Sequence, residues 1–412
     1  MTQHDPVAAA GTGDRTGPVP LLRPADGLPP VVTTPEALAE TARAVAGGTG
    51  PIAVDAERAS GFRYSQRAYL VQLRRAGAGT ALIDPVPFGG DLSPLAPALA
   101  DAEWVLHAAN QDLPCLAEAG LVPGKLFDTE LAGRLAGLPR VGLGPMVEQL
   151  LGLSLEKGHG AADWSRRPLP EDWLVYAALD VEVLVELRDV LTRMLAEQGK
   201  LEWALQEFEA VRTAPPPAPR AEPWRRTSGI HRIRKPAALA IVRALWEARD
   251  ALAAERDIAP GRVLPDSAII DAAANPPASP QALAAMPVFR GRAQRRLTSY
   301  WWAAIEKARR LDPAELPAAS TPGDGPPPVS RWVDRDPAAA ARLAAARAAL
   351  SRIGSEHNVP VENLLLPDLL RRLCWSPPED GDVAGYLRRG GAREWQIELL
   401  TDVLTQALAA RP

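Results

Sequence analysis

Cysteine is nearly absent from this 412-residue chain, and the two that occur, Cys115 and Cys374, stand far apart. They frame no disulfide scaffold and no Cys-x-x-Cys metal site, so a reducing, cytoplasmic setting is expected. Histidine is also scarce. His4, His107, His159, His231 and His357 are scattered without the spacing of a zinc site. No apolar stretch is long enough to span a bilayer, and the N-terminal region has no apolar signal-like core. The expectation is a soluble, intracellular protein. Only five of the 46 basic residues are lysine, a bias to which no functional weight attaches.

At this length the chain should hold two or three domains, each with its own core. Residues 1–30 are rich in Gly, Pro and Ala without periodicity and read as a disordered tail. Organised structure is expected from Val31, with Thr34-Pro35-Glu36 marking a helix start. Short apolar runs at Pro51–Asp55, Tyr69–Leu73, Ala81–Ile83 and Trp104–Leu106 read as strands. Helical patterns follow from Asp112 to Glu118 and from Glu171 to about Gln198. Strands followed by helices indicate an α/β domain on a mixed sheet over residues 31–210.

Pro-rich stretches mark linkers at 211–223 and 311–330. Between them, residues 224–310 carry a net charge of +9, which leaves −13 for the rest of the chain. The segments 224–310 and 331–412 resemble diverged copies of one helical module. Glu255-Arg-Asp-Ile258 leads to Leu264-Pro265-Asp266 in the first, and Glu356-His-Asn-Val359 leads to Leu366-Pro367-Asp368 in the second.

The chemistry concentrates in four carboxylates and one tyrosine. Alternation along a strand puts Asp55 and Glu57 on one side. Tyr176 and Asp180, four residues apart, share a helix face. Asp112 stands at the start of its helix, beyond the Trp104–Leu106 strand. Taken singly, each has an ordinary explanation: a solvated strand end, a helix-capping carboxylate, a buried ring beside a surface acid. Converging at one sheet edge, the four acids would hold two divalent cations about 4 Å apart, the arrangement that serves phosphodiester hydrolysis. An all-oxygen site accepts Mg²⁺ or Mn²⁺ alike.

The segments Val54-Asp-Ala-Glu57, His107-Ala-Ala-Asn-Gln-Asp112 and Tyr176-Ala-Ala-Leu-Asp-Val181 resemble the three exonuclease motifs of the DEDD superfamily, tyrosine subtype. Asp163-Trp-Ser-Arg-Arg-Pro-Leu169 looks like its ribonuclease D branch, and the two helical modules are similar to HRDC domains. The resemblance implies a ribonuclease H-like α/β exonuclease domain followed by two all-α HRDC-like modules. It makes Asp55, Glu57, Asp112 and Asp180 the metal ligands and Tyr176 the residue that orients the attacking water. A phenol with a pKa near 10 is a poor base at neutral pH, which favours that orienting role. The implied activity is 3′→5′ hydrolysis of RNA to nucleoside 5′-monophosphates, typically in tRNA 3′ processing, with no membrane and no obligate protein partner. The alternatives are a 3′→5′ DNA exonuclease and a catalytically silent RNA-binding protein on the same fold.

Family members often carry an aromatic residue and then an Arg-Glu pair after the first acidic pair, whereas this chain reads Arg58-Ala-Ser-Gly-Phe62-Arg-Tyr64. Phe62 and Tyr64 are therefore candidate rings for stacking the terminal base, or simple packing residues. Lys157 and Arg167 are candidate phosphate contacts. Arg232, Arg234 and Lys235 lie in the basic segment and are candidates for holding the RNA body. His107 reads as a satisfied buried histidine, Trp301 and Trp302 as core residues, and Cys115 lacks a histidine partner that would make it a nucleophile.

Overall fold

The computed structural model describes residues 17–156, 158–216, 218–319 and 325–411. Its strands are β1 (Val19–Leu21), β2 (Val31–Val32), β3 (Thr49–Arg58), β4 (Ala68–Ala76), β5 (Gly79–Ile83), β6 (Glu103–Leu106), β7 (Lys125–Asp128) and β8 (Leu153–Leu155). Six of them form one mixed sheet in the order β2-β5-β4-β3-β6-β7. The β3-β4-β5 meander is antiparallel, and β6 and β7 run parallel beside β3. Gly77, at φ +83°, supplies the left-handed residue of the tight β4–β5 turn, which the Ala78 N–H closes onto the Arg75 carbonyl.

The middle of the sheet is apolar on both faces, as a sheet covered on two sides must be. Ile52, Val54 and Ala56 of β3 join Trp104 and Leu106 in one core, which also takes in Leu38 and Leu116 from the Pro35–Gly47 and Leu113–Glu118 helices. Ala53, Val105 and Phe127 face the opposite way, into a core with Leu184, Leu187, Leu191 and Phe208. The Pro35–Gly47 helix starts as expected: Pro35 is its first residue, and the Thr34 hydroxyl accepts the Ala37 N–H at 3.3 Å. The pattern over Glu171 to Gln198 is two helices, Glu171–Glu182 and Leu184–Glu197, separated at Val183.

The expected tail needs correction from residue 19 onward; residues 1–16 lie outside those described. β1 pairs in parallel with β8, Val19 opposite Leu153 and Leu21 opposite Leu155. Asp26 meets Arg74 at 2.9 Å, and Leu28 packs with the core around Trp164. Composition hides this order because the pairing partner is remote in sequence.

The two helical modules match closely. After short lead-in turns, each has a 21-residue helix, Pro236–Arg256 and Pro337–His357. Each helix ends in a left-handed non-glycine residue, Asp257 at φ +48° and Asn358 at φ +49°. Helices Asp266–Ala274 and Pro367–Trp375 then occupy equivalent positions. Trp301 is fully buried, with its Nε1 donating to Gln294, as a core residue should be. In the 311–330 stretch, Leu311 and Leu316 pack onto the first module, so that part of the expected linker belongs to its surface; residues 320–324 lie outside those described.

Both modules dock on the α/β domain through the equivalent cap residue. The Asp257 carboxylate accepts the Tyr64 and Ser65 N–H groups at 3.1 and 2.9 Å, and Asn358 Nδ2 donates to the Gly137 carbonyl at 3.3 Å. The C-terminal module goes further and merges its core with the Leu184–Glu197 and Leu201–Arg212 helices. There Trp395 stacks on Trp203 at 4.6 Å between ring centroids and donates its indole N–H to Glu207.

Candidate active site

Three of the four acids meet as the strand and helix periods predict. Pairing of β3 with β4 sets Asp55 opposite Gln72 and Glu57 opposite Leu70, which places both acids on the same face. The Glu171–Glu182 helix packs onto β3, β4 and β5, with Ala177 and Ala178 buried beside Leu70 and Leu82. That contact brings one carboxylate oxygen each of Asp55, Glu57 and Asp180 within 4.8 Å of one another. Asp112 is not in this tight group. It lines the same cavity of about 620 Å³, together with Arg58, His107, Gln111 and Tyr176.

Asp112 sits at the N-cap position of the Leu113–Glu118 helix, yet its side chain makes no capping hydrogen bond. The ordinary explanation for a helix-start aspartate therefore fails here. The turn that presents it is held by a different residue, Asp128. This buried carboxylate accepts the N–H groups of Ala108, Ala109 and Leu131 at 3.1, 2.8 and 3.1 Å. Ala108 has φ +58°, a conformation that costs a non-glycine residue about 1–2 kcal/mol. Asp128 offsets that cost and so positions the Ala109–Gln111 turn. Sequence reading missed it, although Leu126-Phe-Asp-Thr-Glu130, an apolar run ending in an N-cap signal, was there to find.

Crowding these acids in a partly buried cavity makes their ionised forms costly. Burial and, for Glu57, the charges of Asp55, Asp180 and Asp112 raise its pKa to about 9. Burial and Asp55 raise Asp112 and Asp180 to about 8 each, and burial raises Asp55 to about 6. Among the described residues, the four carboxyls share this cavity with a single cationic side chain, Arg58, which leaves them short of positive charge, and an all-oxygen donor set suits hard divalent cations. The residues present fit such ions.

Tyr176 lies one helical turn before Asp180, to which its hydroxyl bonds. Burial and the neighbouring negative charges push the phenol pKa well above its ordinary value, so it stays protonated. Gly158 and Gly160 lie against its ring and hydroxyl: a Cβ on Gly158 would stand 3.3 Å from the ring. His107 contacts Thr129 Oγ1 through Nδ1 at 2.9 Å, and burial lowers its pKa to about 4, leaving a neutral imidazole. Cys115 is buried, bonded to the Asp112 carbonyl and raised by burial to a pKa of about 12, so it is no nucleophile.

Three of the sequence-based substrate contacts are occupied by other partners. The Arg167 guanidinium uses all five donors internally, with two bonds of 2.6 Å to Asp84 and others to the carbonyls of Tyr69, Trp164 and Arg166. It buttresses the fold and has no donor left for phosphate, which corrects the expectation. Phe62 and Tyr64 are likewise committed to the first helical module. Arg262 lies over the Phe62 ring at 4.0 Å, and the Tyr64 hydroxyl donates to Asp250 at 3.1 Å. Neither ring lines the acidic cavity, so the stacking role is corrected to interdomain packing. Lys157 lies outside the described residues. Arg232, Arg234 and Lys235 are exposed and, with Arg309, rim a separate cavity of about 550 Å³ on the first helical module.

Comparison with known proteins supports the same reading. The 3′-5′ exonuclease family matches residues 29–196, the HRDC domain family residues 238–305, and a 3′ to 5′ exonuclease C-terminal domain family residues 325–408. A ribonuclease D from Granulibacter bethesdensis is 32% identical over 80% of this chain and 82% of its own length. A second, from Gluconacetobacter diazotrophicus, is 32% identical over the same shares. Among solved structures, a protein from Bifidobacterium adolescentis superimposes with a TM-score of 0.89 at 40% identity, covering 95% of this chain and 99% of that one. Escherichia coli RNase D, an exoribonuclease involved in structured RNA processing, gives 0.68 at 26% identity, covering 92% and 98%. With its exonuclease domain ahead of an HRDC domain, and with likeness to ribonuclease D along four-fifths of its length, the chain belongs to the ribonuclease D family of 3′-5′ exoribonucleases.

Proposed function

We propose that the protein trims RNA from its 3′ end by metal-dependent hydrolysis to nucleoside 5′-monophosphates, with tRNA precursors as working substrates. The observation that carries this reading is the half-buried cluster of Asp55, Glu57 and Asp180, whose carboxylate oxygens converge within 4.8 Å and whose raised pKa values support cation binding. Asp55, Glu57, Asp112 and Asp180 would hold two divalent ions, Mg²⁺ or Mn²⁺. When bound, such ions make water nucleophilic at neutral pH and stabilise charge on the leaving 3′ oxygen. Tyr176, protonated and bonded to Asp180, orients the attacking water rather than removing its proton. Neutral His107, with Nδ1 fixed by Thr129, offers its other ring nitrogen as a hydrogen-bond partner for substrate.

The exposed Arg232, Arg234 and Lys235 hold the RNA body through phosphate contacts, so binding weakens steeply with salt. The E. coli relative's part in structured RNA processing supports a structured substrate such as a tRNA precursor.

The test is a gel time course on 5′-labelled RNA and on DNA of the same sequence, with wild type and Asp180→Asn, in Mg²⁺ or Mn²⁺ and then in EDTA. Stepwise 3′ shortening of RNA, abolished by the substitution and by EDTA, is expected. Faster trimming of DNA would overturn the choice of RNA. Tight RNA binding without metal-dependent shortening of either strand would leave a binding protein on a nuclease fold.

A further inference from the structure

Arg58 is the last residue of β3 and follows Glu57 directly. Strict alternation would turn its side chain away from the face that carries Asp55 and Glu57. The register of β3 on β4 slips at this point: Glu57 is opposite Leu70, but Arg58 is opposite Ala68. Such a slip re-aims a side chain, and here it leaves Arg58 on the wall of the acidic cavity. Among the described residues it is the one lysine or arginine that lines that cavity.

The guanidinium is held there by one long ion pair and no closer carboxylate contact. Its closest carboxylate oxygen, Asp112 Oδ1, is 3.9 Å from Nη2, beyond hydrogen-bond reach, and the side chain is 27% exposed. Three buttressing arginines of this chain behave differently. Arg167 reaches Asp84 at 2.6 Å, Arg249 reaches Asp266 at 2.6 Å, and Arg393 reaches Glu207 at 2.9 Å. Arg58 instead stands off from Asp112 and keeps its fork toward the cavity. A cationic fork left open toward a cavity suits an oxyanion that arrives from outside, and phosphate geometry matches it.

We propose that Arg58 is a further catalytic residue, whose guanidinium grips the non-bridging oxygens of the phosphodiester next to the RNA 3′ end. This inference rests on the reading of the cavity as the RNA-cleaving site. Arg58 thereby supplies positive charge to the phosphate from the protein itself, at the position that follows the first acidic pair.

The test uses the full chain, fluorescence anisotropy in EDTA, and two RNA oligonucleotides that differ only at the 3′-terminal linkage. One has a phosphodiester and the other an uncharged methylphosphonate. Wild type is expected to bind the phosphodiester RNA roughly 10-fold tighter, in line with a charge-assisted contact. Arg58→Gln should narrow or reverse that preference and reduce the salt slope by about 0.7, one single-strand phosphate contact. Arg58→Met, which keeps the aliphatic stem, is a second neutral variant should the glutamine variant fail to fold, and Arg58→Lys should restore part of the preference.

Neutral variants that fold and still discriminate like wild type would overturn the inference. Wild-type shortening of RNA with Mg²⁺ in the same preparation would then show that the exonuclease reading stands alone. A wild type that neither shortens RNA nor discriminates would overturn both.

Discussion

Asp257→Ala should loosen the segment that joins β3 to β4, and the structure sets the size of the effect. One oxygen of Asp257 accepts the Tyr64 and Ser65 N–H groups at 3.1 and 2.9 Å, and the other meets the Tyr69 hydroxyl at 3.4 Å. Bonds to a charged acceptor contribute about 1.5–3 kcal/mol when buried; for a partly solvated carboxylate about 1 kcal/mol per amide is the sounder figure. The left-handed conformation at φ +48° costs alanine roughly 1 kcal/mol more than aspartate. Together these come to about 3 kcal/mol, or roughly 100-fold in a local opening equilibrium.

Hydrogen–deuterium exchange of peptides spanning residues 60–68 reads that change directly. Asp257→Asn keeps an acceptor oxygen and tolerates the left-handed backbone, so it should lose about a third as much. Burial pushes the Asp257 pKa up, but the bonds to Ser65 and the charges of Arg63 and Arg67 outweigh it, and the net shift is downward. The contribution is therefore complete above the ordinary aspartate pKa and is lost as pH falls through the lower folded value. Ser60 and Gly61 of the same segment line the acidic cavity, so RNA trimming should slow in parallel. Unchanged exchange in Asp257→Ala at pH 7, or equal effects of the two substitutions, would refute this account.

Three further outcomes are expected. The raised pKa of Asp180 means that the metal-free fold is most stable while the carboxyl is protonated, and that stability is lost as pH rises from the unfolded value through about 8. Asp180→Asn should therefore raise the melting temperature of the protein in EDTA at pH 8 by a few degrees while reducing the gain from Mn²⁺; a lower melting temperature in EDTA would contradict the electrostatic argument. Arg167→Lys breaks the fork onto Asp84 and should cost about 2 kcal/mol on denaturant unfolding with RNA affinity unchanged. A loss of affinity at unchanged stability would return Arg167 to the substrate. Trp395→Ala removes the Trp203 stack and the Glu207 bond, and should cost about 3–5 kcal/mol and expose the C-terminal module to protease before the rest of the chain.

What the sequence determined by itself is what local periodicity governs. A period of two put Asp55 and Glu57 on one side of β3, and a period near four put Tyr176 beside Asp180. Thr34 and Pro35 announced a helix start, and the matched stretches after Arg256 and His357 announced a repeated module. Each depends on dihedral preferences within a few residues.

Tertiary structure decided whatever turns on a distant partner. Asp112 lines the acidic cavity instead of capping its helix, and Asp128, at the end of β7, secures the turn before it. Arg167 is bound by Asp84, and Phe62 and Tyr64 are taken by the first helical module. β1 exists because β8 pairs with it. Arg58 faces the cavity where the β3–β4 register slips, and no alternation rule read along one strand contains that slip. Side-chain direction within an element follows from backbone geometry, whereas which charges are satisfied depends on long-range packing that brings their partners within reach.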